Sequence, residues 1–308
     1  MASDLIFATR PSSLARWQTT SVIRELRRHW QDIDFQEVII TTQGDRNLDS
    51  ALPEIGGKGL FTQELESALL AGRVHAAVHS LKDLPTEIVP ELEIAALPVR
   101  AEPGDVLISP SGLTLEELPA GAIVGTSSNR RRAQILAYRP DLEIKPIRGN
   151  IDTRIRKVQA GGYDAIILAA AGVIRLGLQK HISQCLPMEI MLPAPGQGAL
   201  AVQCRSGDEQ AIRLLQVIDH IDTALAVSAE RAFLSALGGG CSLPVGALAQ
   251  VDGGVITLQG VVVSLDGKHL LRLSSSGRDP IMVGNSLAQD FLDRGFMEYI
   301  NLAAMGSE

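Results

Sequence analysis

The chain has 308 residues, 45% of them hydrophobic and 20% charged, with a net charge of −7. These are ordinary globular proportions at a length of two or three domains of about 100–200 residues each, which excludes a disordered, collagenous or coiled-coil chain. No apolar run reaches the roughly 18 residues of a membrane helix, no secretory leader is visible, and Cys185, Cys204 and Cys241 lack the pairing of a disulfide framework or a zinc site, so a cytoplasmic protein without a metal is expected.

Leu5 to Ala8 reads as a buried strand, and Ser12 or Ser13 caps a helix whose apolar positions Leu14, Trp17, Ile23, Leu26 and Trp30 follow a helical period. Phe35 to Thr41 reads as a second strand, Phe61 to Leu70 as a second helix, Ala76 to His79 as a third strand and Ile94 to Val99 as a fourth. Strands separated by helices predict a largely parallel sheet. The grammar then repeats, with strands at Val106 to Ile108, Ile123 to Thr126, Glu143 to Ile147 and Ala165 to Ala169, and helices opening near Ser128 and Asn150. Shifted by 90 residues, Lys58-Gly59 overlays Arg148-Gly149, Leu65 overlays Ile155 and Gly72 overlays Gly162, which predicts two similar lobes.

The prolines and glycines of Leu192 to Gly198 mark a chain crossing, after which Leu200 to Cys204 reads as a strand returning to the first lobe. With a crossing near Arg100 to Gly104, this predicts a hinge and a cleft. Thr223 to Leu237 reads as a helix stopped by Gly238-Gly239-Gly240. Strands follow at Val245 to Gln250, Val255 to Val263 and His269 to Ser274, the last two joined by the hairpin signal Asp266-Gly267, and Ser286 to Asp293 is the final helix. The expected fold is α/β, with two similar periplasmic-binding-protein-like lobes (residues 1–99 with 199–217, and 104–193) and a C-terminal α+β domain (221–308) carrying a three-stranded antiparallel sheet.

Charge is unevenly placed. Between Ser127 and Lys157 nine basic residues stand against three acids, in a chain that is acidic as a whole. Such a segment either receives an anionic ligand or is a solvated face. Thr126-Ser127-Ser128 ends a strand and opens a helix at Asn129-Arg130-Arg131, which brings hydroxyls, backbone N–H groups and guanidiniums to one helix N-terminus, as an anion site requires. Arg10, Ser12 and Ser13 occupy the equivalent junction in the first lobe. Lys82-Asp83 follows the third strand at the carboxyl edge where α/β sheets bind ligands, though an Asp so close to Pro85 also serves turns. His75 and His79 lie on one strand without the glutamate of a zinc helix and read as core or strand-end residues. The loop Glu54 to Gly59 lacks phosphate-loop spacing. Cys185 and Cys204 read as inert buried thiols, whereas Cys241, after three glycines, points to reactivity or covalent attachment.

ATRPSSLARWQ (Ala8 to Gln18), GGKGLF (Gly56 to Phe61), AVHSLKDLP (Ala77 to Pro85), GTSSNRRRAQ (Gly125 to Gln134), RGNIDTR (Arg148 to Arg154), DAIILAAAGVIRLGL (Asp164 to Leu178), LPAPGQGAL (Leu192 to Leu200) and GGGCSLPVGA (Gly238 to Ala247) together resemble the porphobilinogen deaminase (hydroxymethylbilane synthase) family. The resemblance runs in family order through most of the chain and thins after Val262. It implies a transferase of tetrapyrrole biosynthesis that joins four porphobilinogen molecules into hydroxymethylbilane with release of four ammonia. It also implies a dipyrromethane cofactor attached by a thioether to Cys241.

By the same resemblance Asp83 is the catalytic carboxylate, stabilising the azafulvenium left by departing ammonia in a low-dielectric cleft and exchanging protons with pyrrole nitrogens. Lys82, Asp83, Thr126, Ser127, Ser128, Arg130, Arg131 and Arg154 are implied to bind the cofactor. Arg10, Ser12, Gln18, Lys58, Arg148, Arg175 and Gln197 are implied to bind substrate and the growing chain. A monomer that hands its product to uroporphyrinogen-III synthase is implied, with no nucleic acid or membrane. Two positions depart from the family pattern: Glu54 replaces a common lysine on the loop from Thr42 to Lys58, and Asn129 replaces an apolar residue. Exposed charges such as Arg139 are expected to be replaceable.

Other classes fit less of the sequence. A non-catalytic two-lobed anion binder has no use for Cys241. A single-stranded nucleic-acid binder needs aromatic platforms, and aromatics are 4% of the chain. A thiol hydrolase pairing Cys241 with a histidine predicts a free, alkylatable thiol, where covalent attachment predicts a blocked one.

Overall fold

The structure is a computed structural model that describes residues 4–46, 61–239 and 243–296. The first elements are β1 (Leu5–Thr9), α1 (Ser13–His29), β2 (Phe35–Ile39), α2 (Gln43–Arg46), α3 (Gln63–Leu70), β3 (Ala76–Ser80) and β4 (Leu92–Ala96). The middle section holds β5 (Asp105–Ile108), β6 (Ile123–Gly125), α4 (Asn129–Tyr138), β7 (Glu143–Lys145), α5 (Ile151–Gln159), β8 (Ala165–Ala169), α6 (Ala170–Arg175) and β9 (Gln184–Cys185). It is followed by β10 (Leu200–Arg205), α7 (Glu209–Leu215), α8 (Ile221–Ala236), β11 (Val245–Asp252), β12 (Val255–Val263), β13 (Leu270–Gly277) and α9 (Pro280–Asp293). Two compact units result, Met1–Ala101 with Gly198–Ala224 and Glu102–Gln197 with Leu225–Glu308.

In the first unit the sheet order is β2-β1-β3-β10-β4, with β1, β2 and β3 parallel and β10 antiparallel to both its neighbours. Alternate residues face opposite sides, so Phe7 and Val78 join Val22, Ile23 and Leu26 of α1, whereas Ala8 and Ala77 join Leu65 and Leu69 of α3. Covering both faces leaves β3 almost wholly buried. The fourth strand lies earlier than expected, because its ladder with β10 runs from Leu92 to Ala96 and leaves Val99 71% exposed.

The second unit repeats the plan with the order β7-β6-β8-β5-β9, in which β6, β7 and β8 are parallel and β5 is antiparallel to β8. The apolar face of α4 covers Val124 and Ile167, and α5 covers Val106, Ile166 and Leu168. The predicted internal repeat holds for α3 with α5 and for β3 with β8. Its glycine does not: Gly161, at φ 86°, is the counterpart of Gly72, at φ 66°, rather than Gly162.

The same unit contains the antiparallel meander β11-β12-β13 with α9 packed on it. Phe233 of α8 and Phe291 of α9 meet at a centroid distance of 5.4 Å over Leu258 and Leu287. Gly284 is needed there, since a Cβ would stand 2.5 Å from the Ala229 carbonyl of α8. The last helix opens at Pro280 rather than Ser286: Asp279 accepts from the N–H groups of Ile281 and Met282, and proline at the first helical position has no N–H to satisfy. Two α/β sheets and a three-stranded α+β portion thus agree with the expected fold class. Among the described residues no helix is long and apolar enough to cross a membrane.

Candidate active site

In the first unit, parallel pairing of β1 and β3 delivers Arg10 and the segment Ser80–Asp83 to one sheet edge. Ser12 caps α1, its hydroxyl accepting from Ala15 N–H at 3.3 Å. Gln18, buried on α1, donates to Ser80 Oγ at 2.8 Å and so ties the helix to the entrance of the tight turn Leu81–Asp83. Lys82 is half-buried and Asp83 is exposed. Arg10 donates through Nε and Nη2 to the Asp45 carboxylate, and the Phe61 ring covers its guanidinium at 4.2 Å.

In the second unit the loop after β6 is built from its own hydroxyls. Thr126 Oγ1 accepts from Ser128 N–H. Ser127 Oγ donates to the Ile147 carbonyl at 2.9 Å and accepts from Ile147 N–H at 3.2 Å. Ser128 caps α4, accepting from Arg131 N–H at 3.4 Å. Asn129 is the first residue of that helix, so its departure from the family pattern is compatible with a helix start. Gly149 at φ 112° makes the turn after Arg148, and Arg154 Nε donates back to the Gly149 carbonyl at 2.7 Å. Arg175 ends α6, where burial pushes its guanidinium down to about 10.

Arg130 and Arg131 are not solvated: they are 5% and 7% exposed. Both meet Asp105, the first residue of β5, which sequence reading passed over. Asp105 accepts from Arg130 Nη1 at 2.7 Å and from Arg131 Nε and Nη2 at 3.1 and 2.8 Å. Gln197, expected to line substrate space, is buried, and its amide nitrogen donates to Asp105 at 3.0 Å and to the Pro103 and Gly104 carbonyls. Arg130 Nε is buried and has no hydrogen-bond partner among the described residues. Burial pushes the Arg130 guanidinium down; the Asp105 charge opposes this and the Arg131 charge adds to it. The one signal for Asp105 was a lone acid opening an apolar strand after Pro103-Gly104.

Glu230 is a second residue missed, a fully buried carboxylate on α8 that accepts from Gly196 N–H at 2.6 Å and Ala249 N–H at 2.8 Å. It clamps the 193–198 crossing to β11. Its only sequence signal was an acid inside the apolar helix LAVSAERAF.

His75 and His79 are held in the first sheet by hydrogen bonds. His75 Nδ1 accepts from Ile6 N–H, and His79 is buried against Gln203, its imidazole pushed down to about 4 chiefly by burial. Cys204 is buried with its thiol pushed up to about 12, also chiefly by burial, but Cys185 is exposed on the short β9, which corrects the expectation of a buried thiol. Among the described residues no cluster of His, Cys, Asp or Glu is placed to hold a metal ion. Lys58, Glu54 and Cys241 lie outside the described residues, although the αL turn at Gly238 and Gly239 that ends α8 just before Cys241 is seen.

A family model described as "Porphobilinogen deaminase, dipyromethane cofactor binding domain" matches residues 5–213, and one described as "Porphobilinogen deaminase, C-terminal domain" matches 224–293. The porphobilinogen deaminase of Brevibacillus brevis is 52% identical over 288 residues, covering 93% of each chain. That of Desulforudis audaxviator is 48% identical over 309 residues and covers 100% of each, and that of Moorella thermoacetica is 49% identical over 96% of each. Solved structures align remotely, among them the BenM effector binding domain with benzoate, at 11% identity and a TM-score of 0.41 over 70% of this chain and 92% of that one.

Proposed function

The chain belongs to the porphobilinogen deaminase family, enzymes of tetrapyrrole biosynthesis that polymerise porphobilinogen on a dipyrromethane cofactor, and from that premise we propose how its residues divide the work. The observation that carries the assignment is the buried pair Arg130 and Arg131 sharing one carboxylate, with Arg130 Nε still lacking an acceptor. A buried guanidinium in excess of its counter-charge calls for an anion, and the carboxylates of a pyrrole ligand fit that need. Arg130, Arg131, Ser128, Arg154 and Lys82 hold the cofactor carboxylates, with Thr126 and Ser127 shaping the loop beneath them. When bound, the dipyrromethane supplies the free α-carbon to which the first substrate is joined.

Arg10, Ser12, Gln18, Lys58, Arg148 and Arg175 serve the substrate and growing-chain side. Gln18 acts by holding Ser80 at the entrance to the Lys82–Asp83 turn and Gln197 by holding Asp105 against Arg130 and Arg131, so both position the neighbours of ligand-binding residues. Asp83 holds its negative charge against the azafulvenium left as ammonia departs, and exchanges protons with the pyrrole nitrogens. Being exposed in the first unit, it gains full electrostatic effect once bound rings displace its water. The working molecule is a cytoplasmic monomer of three domains, 1–99 with 199–217, 104–193 and 221–308, and its hydroxymethylbilane passes to uroporphyrinogen-III synthase.

Intact-mass spectrometry tests this reading. The purified protein is expected to carry a two-ring adduct on Cys241, and Cys241→Ser to lack both adduct and activity. An adduct mapped to Cys185 or Cys204, or full activity in the serine variant, overturns it.

A further inference from the structure

Arginine presents two forks to a carboxylate, one formed by Nε and Nη2 and the other by Nη1 and Nη2. Arg131 spends its Nε/Nη2 fork on Asp105 and sends Nη1 to the Ile167 carbonyl at 3.0 Å. Arg130 is held differently. Its Nη1 bridges Asp105 and the Leu192 carbonyl at 2.7 and 2.8 Å, while its buried Nε has no partner among the described residues. Neighbouring arginines on one helix are thus made unequal by a single carboxylate, one locked and the other left with its Nε/Nη2 fork to give. Asp105 is itself kept in place by Gln197 Nε2 at 3.0 Å, and its side chain is fully buried.

We propose that Asp105 is a positioning residue for cofactor capture: by occupying the fork of Arg131 and only Nη1 of Arg130, it aims the free Nε/Nη2 fork of Arg130 at one incoming pyrrole carboxylate. The inference rests on the cofactor assignment above and adds to it a residue that never touches ligand. Asp105 also leaves the pair with one uncompensated positive charge, which favours an anionic group at the free fork. Without it, both guanidiniums repel each other and compete for the same ligand group. With its hold on Arg131 loosened, Asp105 can turn onto the free fork of Arg130 and block it.

The experiment follows cofactor loading of the full chain, prepared without porphobilinogen and then given increasing concentrations of it, by intact mass. Asp105→Asn is expected to raise the half-saturating concentration for loading at least tenfold while changing the limiting rate little, and Asp105→Glu to recover part of the loss. Arg131→Lys, which keeps the charge but has no fork, is expected to raise it too, and this variant decides the matter if Asp105→Asn does not fold. Unchanged half-saturation in the folded variants overturns the proposal. So does normal loading by the double variant D105N/R131M, which would reduce the role of Asp105 to balancing charge. If the unmodified chain acquires no adduct on Cys241, the failure belongs to the functional assignment instead.

Discussion

Arg10 sets Nε and Nη2 against Asp45 at 3.2 and 2.5 Å, joining residues 35 positions apart in a two-point contact. Burial by itself raises the Asp45 carboxyl, but the Arg10 hydrogen bond and charge, helped by Thr42, outweigh it and hold the group below 3.8. A carboxyl whose pKa falls on folding contributes stability above its unfolded value, and that contribution is lost as pH drops through the folded value. Asp45→Asn is therefore expected to melt below the unmodified protein at neutral pH, with the difference closing below about pH 4. Melting curves across that range check it, and a gap independent of pH contradicts it.

Asp83→Asn is expected to leave folding intact, since the side chain is exposed on a surface turn. Turnover is expected to fall by roughly 10²-fold or more, the usual loss when a group facing developing charge is removed. Steady-state rates beside a melting curve separate the two effects. Near-normal kcat returns Asp83 to the rank of turn residue.

Arg131 and Arg148 are expected to fail at different stages. Arg131→Leu takes the two-point partner from Asp105, which keeps Arg130 and Gln197, and is expected to leave the cofactor unassembled. Arg148, half-buried on a loop, is expected to allow cofactor assembly when replaced by leucine but to stall elongation, so that protein-bound intermediates accumulate. Masses recorded after limited porphobilinogen addition distinguish these outcomes, and identical ladders for both variants contradict the assignment.

Arg139 reverses an expectation. It looked like a dispensable surface charge, yet its guanidinium donates to the carbonyls of Leu115, Glu116 and Leu118 and to both oxygens of Asp141. Arg139→Ala is expected to lose about 1–2 kcal/mol, the cost of several unmade hydrogen bonds at a part-buried turn. Exposed Arg132, replaced in the same way, is expected to stay within about 0.5 kcal/mol. Denaturant midpoints check both.

Local periodicity and capping were enough for most elements, because they depend on neighbours in the chain. The N-caps Ser12 and Ser128, the glycines ending α8 and the hairpin at Asp266-Gly267 are all visible as short patterns. The end of β4 was misjudged because pairing with β10, more than 100 positions away, decides where that strand stops.

The site divides along the same line. The sequence by itself singled out Arg10, Asp83, Arg130, Arg131, Arg148 and Cys241 as candidates, since they stand in motifs whose residue types suit carboxylates and covalent attachment. Only the tertiary structure decided which of these charges are already spent. Asp105 lies 25 and 26 positions from Arg130 and Arg131, Glu230 is 34 from Gly196, and no local pattern encodes such a pairing. Burial of one carboxylate between two guanidiniums is a property of packed strands and helices: it exists only once β5 and α4 have met and water has been driven from between them.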